Sequence, residues 1–143
     1  MKIRKYDKTD VNQIIDIWYT ASILAHDFIH KDYWEKQRTA MRDTYLPMSE
    51  TYVITNKKGV IGFVSMVDHY LAALFIEVAH QGEGYGRELL DYIKARTDHI
   101  QLKVYKRNQR AVNFYERHGF SIKEALIDDQ TGEAEFLMEW RKD

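Results

Sequence analysis

Apolar positions recur along this chain in two rhythms, one helical and one alternating. Val11, Ile14, Ile15, Trp18, Ala21 and Ala25 fall at the three-and-four spacing of a single helix face. Asp10 followed by Gln13 reads as a capping box that opens this helix, and the helix is expected to end between His26 and Ile29. A second helix is expected over Asp32 to Tyr45, stopped by Pro47, the only proline. The rhythm then shortens. Tyr52 to Thr55 and Val60 to Val67 read as strands joined by the turn Asn56-Lys57-Lys58-Gly59, and Leu71 to Val78 reads as a third strand. A helix follows from about Gly84 to Thr97, then a strand over Ile100 to Tyr105. Gln109 to His118 is expected to be helical, capped by Asn108 and stopped by Gly119. Ser121 to Ile127 and Glu135 to Trp140 form a last strand pair around residues 128–132. With a short strand over Lys2 to Tyr6, the order is β-α-α-β-β-β-α-β-α-β-β. That order predicts a mixed sheet with helices on its faces, an α/β (α+β) layer fold.

Composition narrows the partners. The length of 143 residues suits one domain spanning 1–143, and 45% hydrophobic residues are enough for a core. Twenty-one Lys and Arg against 22 Asp and Glu give a formal net charge of -1, so no basic field points to nucleic acid. With no cysteine there is no disulfide, thiol nucleophile or thiolate metal site. The opening Met1-Lys2-Ile3-Arg4-Lys5-Tyr6 predicts no signal peptide, and no apolar run approaches the roughly 20 residues that cross a bilayer, so a cytoplasmic location without a membrane partner is expected. His26 and His30 stand at i, i+4 around Asp27, a superficial echo of a zinc-protease helix. The aspartate is too short for the glutamate's part and no third ligand is evident, so no metal is expected.

The segment that carries chemistry is Gln81-Gly82-Glu83-Gly84-Tyr85-Gly86, between the apolar Leu74-Phe75-Ile76-Glu77-Val78 and the amphipathic Arg87-Glu88-Leu89-Leu90-Asp91-Tyr92-Ile93. A strand runs into alternate glycines and then into a helix. Backbone N–H groups at a helix start are unpaired, the helix dipole makes that end positive, and glycines admit a bulky anion. A Walker A loop would need Lys-Ser/Thr after the last glycine, and a dinucleotide fingerprint would need Gly-x-Gly-x-x-Gly. Neither is present. The remaining phosphate device is Gln/Arg-x-x-Gly-x-Gly/Ala, matched by Gln81, Gly84 and Gly86.

On this loop, on Leu74-Phe75-Ile76 before it, and on Val104, Asn108, Ala111, Phe114-Tyr115-Glu116 and Gly119-Phe120 downstream, the chain resembles the GNAT superfamily of acyl-CoA-dependent N-acyltransferases over nearly its whole length. Ile17-Trp18, His26-Asp27-Phe28 and Ala73 to Ile76 are similar to a small bacterial branch of it. Two departures are Val78, where many members carry proline, and Gln81, where many carry arginine.

The resemblance implies a mostly antiparallel central sheet and acetyl transfer from acetyl-CoA to the primary amine of a small molecule or peptide, by direct attack on the thioester. It implies that the N–H groups from Gly82 through Glu83, Gly84, Tyr85 and Gly86 to Arg87 hold the coenzyme's pyrophosphate, with Gln81 opening the loop. The strand edge Leu74, Phe75 and Ile76 would pair with the pantetheine arm. Asn108 would both cap its helix and touch the coenzyme. The leaving thiolate is helped by an acid, and the implied position is Tyr115. The other reading of Tyr115 is a packed aromatic beside Phe114 and Phe120, of which Phe114 is the better core candidate. The attacking amine must be neutral, so a base or water relay is expected early on the strand before the loop, on the face of Leu74 and Ile76. Alternation puts Tyr70 and Ala72 on that face. His69 has the better intrinsic pKa but the wrong parity unless a bulge turns it. The first two helices and their connection would build the acceptor site from Trp18, His26, Asp27 and Phe28, with Tyr19, Ser22, Tyr33 and Trp34 nearby. Homodimers are common in the family. The alternative is a non-catalytic acyl-CoA sensor, and an RNA-directed enzyme would need a basic acceptor face that the first 50 residues lack.

Overall fold

The computed structural model describes residues 2–143. The chain opens with β1 (Lys2–Lys5) and a single 3-10 turn (Lys8–Asp10) before α1 (Val11–Ala25). The capping box here is not the expected one. Asp7 caps the 3-10 turn and Asp10 answers it, its carboxylate accepting from Asp7 N at 2.9 Å. Asp10 is buried and takes a forked bond from the Arg4 guanidinium at 2.7 and 3.0 Å, which holds its carboxyl below the usual range. A carboxylate out of water needs a cation more than a helix needs a cap. Gln13 is thereby released from capping, and its Oε1 accepts from Val60 N at 3.4 Å.

The second expected helix is interrupted. α2 (Lys31–Ala40) runs into a π turn over Met41–Tyr45 and a last turn, α3 (Leu46–Met48). Pro47 therefore lies inside the helical path and does not end it. Leu46 N bonds back to Met41 O, five residues earlier, and Pro47 follows near the start of a fresh turn, where a missing N–H costs nothing.

The strands β2 (Glu50–Asn56), β3 (Gly59–Val67), β4 (Tyr70–Ile76), β5 (His99–Tyr105), β6 (Ser121–Ile127) and β7 (Ala134–Arg141) join β1 in one sheet, ordered β1-β2-β3-β4-β5-β7-β6. α4 (Tyr85–Lys94) and α5 (Gln109–Arg117) complete the expected order. Every strand pair is antiparallel except β4 with β5. That one pair is joined at Tyr70↔Gln101 alone, so the two strands diverge toward their C-terminal ends and the sheet opens as a wedge. Val78 does not extend β4 but begins a 3-10 turn through His80.

Two cores flank the sheet. One packs Leu89, Leu90 and Ile93 of α4 and Val112 and Tyr115 of α5 against Leu71, Ile100, Leu102 and Met138. The other packs Ile14, Ile17 and Trp18 of α1 and Trp34 of α2 against Val53, Phe63 and Ala73. β3 is buried along nearly its full length, as a central strand covered on both faces must be.

Candidate active site

β4 determines the site, and its register is not regular. Ser65 pairs with Ala73 but Met66 pairs with Leu71, so Ala72 is an extra, unpaired residue. This bulge reverses the alternation expected for the strand. Leu71, Leu74 and Ile76 turn toward α4 and α5, whereas Ala73 and Phe75 turn toward α1. Tyr70 consequently does not share the face of Leu74 and Ile76. It stands with Trp18, Trp34 and Ala73 in a cavity of about 430 Å³ on the α1–α2 side. Tyr33, Met41, Tyr45, Met48 and Gln130 complete much of that wall, making the cavity aromatic and apolar.

The wedge between β4 and β5 is a second, larger cavity of about 830 Å³. Leu74, Phe75 and Ile76 line one side and Asn108, Ala111, Phe114 and Tyr115 the other. Glu77 N donates to Ile61 O at 2.8 Å, so the ladder bonds toward β3 fall at 77 and 75, and the N–H and C=O of Leu74 and Ile76 face the wedge. The glycine loop closes its upper end. Gly82 and Gly84 have φ of 80° and 92°, in the left-handed region that disfavours other residues. A Cβ on Gly84 would meet no protein atom within 4 Å, so open space lies beside it. The first helical bond from α4 is Glu88 N to Gly84 O at 3.2 Å, leaving the amides of Tyr85, Gly86 and Arg87 without helical acceptors. Arg87, Arg107, Arg110 and Arg117 also line the wedge. Unpaired amides at a helix N-terminus suit phosphate, guanidinium groups line the same cavity, and the residues fit a coenzyme A moiety.

The Gln81 side chain braces the loop. Its Nε2 donates to Ile76 O at 3.0 Å, and its Oε1 accepts from Arg110 at 3.1 Å. Glu83 lies 3.6 Å from His80, and Arg87 pairs loosely with Asp91 at 3.8 Å.

Asn108 has two bonds. Its Oδ1 accepts from Ala111 N at 3.2 Å, capping α5, and its Nδ2 meets His26 Nε2 at 3.2 Å. An amide nitrogen donates, so His26 Nε2 accepts and the ring proton lies on Nδ1. His26 is buried, stacked on Trp34 at 5.1 Å and edge-on to Tyr105 at 5.2 Å. Burial lowers its pKa to about 4, keeping it neutral. It lines neither cavity. Phe28 packs on His26 and Tyr105, while Asp27 lies on the wedge. Of the four expected acceptor residues, therefore, Trp18 alone lines the aromatic cavity. His30 caps α2 through Asp32 N at 3.2 Å, so the two histidines of the zinc-like motif serve separate structural ends.

Tyr115 is the more buried of the two adjacent aromatics, at 8% exposed, and Phe114 is the one that packs under Gly86, reversing the expected ranking. Tyr115 also lines the wedge, and burial pushes its pKa well above the ordinary phenol range, so it stays protonated. His69 lines neither cavity. It sits in the β3–β4 turn with Nδ1 2.9 Å from Thr97 Oγ1.

Sequence reasoning missed Gln130, Tyr45 and Met48 in the aromatic wall. Tyr33 Oη donates to Gln130 Oε1 at 2.8 Å across 97 positions of chain, a contact with no local signature. It also missed Arg107 and Arg110, although basic residues flanking a helix cap were a legible signal.

The family model of the acetyltransferase (GNAT) domain matches residues 47–122. The chain is 32% identical to the peptidyl-lysine N-acetyltransferase YiaC of Escherichia coli, over 96% of this chain and 95% of that one. It is 27% identical to the peptidyl-lysine N-acetyltransferase YjaB of Escherichia coli, over 90% and 88%. Its fold superposes on the solution structure of apo YjaB from Escherichia coli with a TM-score of 0.87, at 23% identity, covering 99% of this chain and 98% of that one. It superposes on the PaiA N-acetyltransferase of Thermoplasma acidophilum, solved in complex with coenzyme A, with a TM-score of 0.82, at 18% identity and 98% coverage of each.

Proposed function

We propose, from the premise that the chain belongs to the GNAT acetyltransferase family and transfers acetyl from acetyl-CoA to an amine, that the wedge holds the coenzyme, the aromatic cavity holds the acceptor, and a lysine side chain of a peptide is the amine. The observation that carries this reading is that β4 serves both cavities in succession. Tyr70, Ala72 and Ala73 line the acceptor side, and Leu74, Phe75 and Ile76 line the coenzyme side. A thioester entering along the wedge would meet an amine entering from the other face at the middle of this strand.

The bound coenzyme supplies an activated acetyl thioester, and the chain's residues do the rest. The amides of Tyr85 to Arg87 and the open side of Gly84 bind the pyrophosphate. The edge groups of Leu74 and Ile76 orient the pantetheine amides as an added strand would. Because Gln81 already occupies Ile76 O, the N–H of Ile76 is the group free to polarise the acyl carbonyl. Tyr115, protonated across the neutral range, stands on the wedge as the proton donor for the thiolate. Tyr70 also titrates above its ordinary range through burial, so it orients the amine and does not abstract its proton. No carboxylate lines the aromatic cavity among the described residues. An ammonium entering such surroundings loses hydration, which lowers its pKa and favours the neutral nucleophile. The same surroundings suit the methylene stem of lysine beneath Trp18, Trp34 and Met41, and disfavour polyamines that carry several charges.

Steady-state kinetics with acetyl-CoA and a lysine peptide test the assignment. Tyr115→Phe is expected to lower kcat about 100-fold, within the usual range for loss of an acid catalyst, with the KM for acetyl-CoA little changed. Unchanged kcat removes the acid role. Faster turnover of spermidine than of the peptide removes lysine as the acceptor.

A further inference from the structure

At the closed end of the wedge, away from both cavities, three side chains converge: His69 from the β3–β4 turn, and Asp98 and His99 at the start of β5. One ligand atom from each lies within 4.8 Å of the others. The two imidazoles are stacked, with centroids 3.8 Å apart and planes 17° from parallel.

The hydrogen bonds decide where the ring protons are. His69 Nδ1 lies 3.3 Å from the carbonyl oxygen of His99, which can only accept, and 2.9 Å from Thr97 Oγ1. His69 therefore carries its proton on Nδ1. His99 Nδ1 lies 2.8 Å from Asp98 Oδ1. A carboxylate oxygen accepts, so His99 also carries its proton on Nδ1. Both rings are thus left with a lone pair on Nε2. Metal-binding histidines are oriented this way, with the second nitrogen donating to a backbone carbonyl or a carboxylate. Arg141 is opposite His99 in the β5–β7 ladder, and its guanidinium is held by Glu139 at 3.2 Å.

We infer that His69 Nε2 and His99 Nε2 form a site for a divalent transition ion of the zinc class, completed by water, with the Asp98 carboxylate orienting His99 through its Nδ1–H. Imidazole nitrogens suit such an ion, and a site on the surface leaves the other positions for solvent. His69 is exposed, and its ring can turn out of the stack to present Nε2 to an ion on His99. The site bridges the one place where the halves of the sheet are joined. Tyr70↔Gln101 is the sole β4–β5 pair, and Gln101 N donates to His69 O at 2.9 Å. An ion held there would tie the β3–β4 turn to β5 and brace the wedge from its root, stabilising the fold without entering the reaction.

The test uses tag-free full-length protein, stripped with chelator and titrated with zinc by calorimetry and with cobalt(II) by visible absorption. The expected result is one ion per chain, cobalt bands of imidazole coordination, and a melting temperature raised by zinc. His69→Ala and His99→Ala should each abolish the bands and the thermal shift, and Asp98→Asn should weaken binding about 10-fold or more. Acetyl-CoA affinity in these variants should stay at the wild-type value, which verifies that they fold. Absence of stoichiometric binding, or bands that survive both histidine substitutions, overturns the inference.

Discussion

Gly84 concentrates the residue-scale argument. Its φ of 92° is hard for any side chain, and the space beside it is empty of protein. Gly84→Val should therefore cost roughly 1–3 kcal/mol of strain while placing its methyls in the open space proposed for phosphate. The expected outcome is a native circular dichroism spectrum, a lower melting temperature and no thermal shift with acetyl-CoA. Wild type should gain about 2.7 kcal/mol at 100 times the dissociation constant. Normal acetyl-CoA binding by the variant would reassign the loop. The loop was legible from residues alone because alternating glycines before an amphipathic helix mean one thing physically: exposed amides. The role of the Gln81 side chain was not legible, since its partners Ile76 and Arg110 are 5 and 29 positions away.

Among elements, β4 matters most, and Gly62 on β3 lets it lie where it does. A Cβ at Gly62 would sit 2.5 Å from Ile76 Cδ1 and 3.0 Å from Phe75 O. Ile76 Cδ1 can move, but the Phe75 carbonyl belongs to the strand. Gly62→Ala is thus expected to destabilise by about 1–3 kcal/mol in urea denaturation and to weaken acetyl-CoA binding by pushing the pantetheine edge outward. An unaltered denaturation midpoint would show that the strands relax freely. The existence of β4 was plain from its apolar run. Its bulge at Ala72 was not, because the sequence Tyr70-Leu71-Ala72-Ala73-Leu74 carries no glycine or proline to mark it. One unpaired residue moved Tyr70 from the expected face of Leu74 and Ile76 to the opposite face, where it lines the aromatic cavity. Pro47 misled in the same way: a π turn before it changed which amide was dispensable.

For the molecule as a whole, stability is coupled to pH through the buried His26. Its folded pKa of about 4 lies below the ordinary value of 6.5. Between these values the unfolded chain binds a proton that the folded chain does not, so stability falls as pH drops from 6.5 toward 4 and is unaffected by this group above 6.5. The full difference is about 3 kcal/mol. Urea denaturation of wild type against His26→Phe should reveal it as a gap in pH dependence confined to that window. Parallel curves would mean that His26 is protonated in the folded state. The ring lies between Trp34, which lines the aromatic cavity, and Asn108, which lines the wedge, so protonation of Nε2 would cost the bond from Asn108.

The order of elements, the glycine loop with its exposed amides and the cap of α5 could be read from the chain, because each depends on contacts within a few residues, where side-chain period and backbone freedom act directly. The face that Tyr70 serves, the burial of Tyr115 in place of Phe114, the pairing of Asp10 with Arg4 and the meeting of His69 with His99 at the root of the wedge emerged with the folded sheet. Those outcomes rest on strand register and on the pairing of buried charge and aromatic bulk across distant segments, and a linear pattern holds no record of what a residue will face once the sheet has closed.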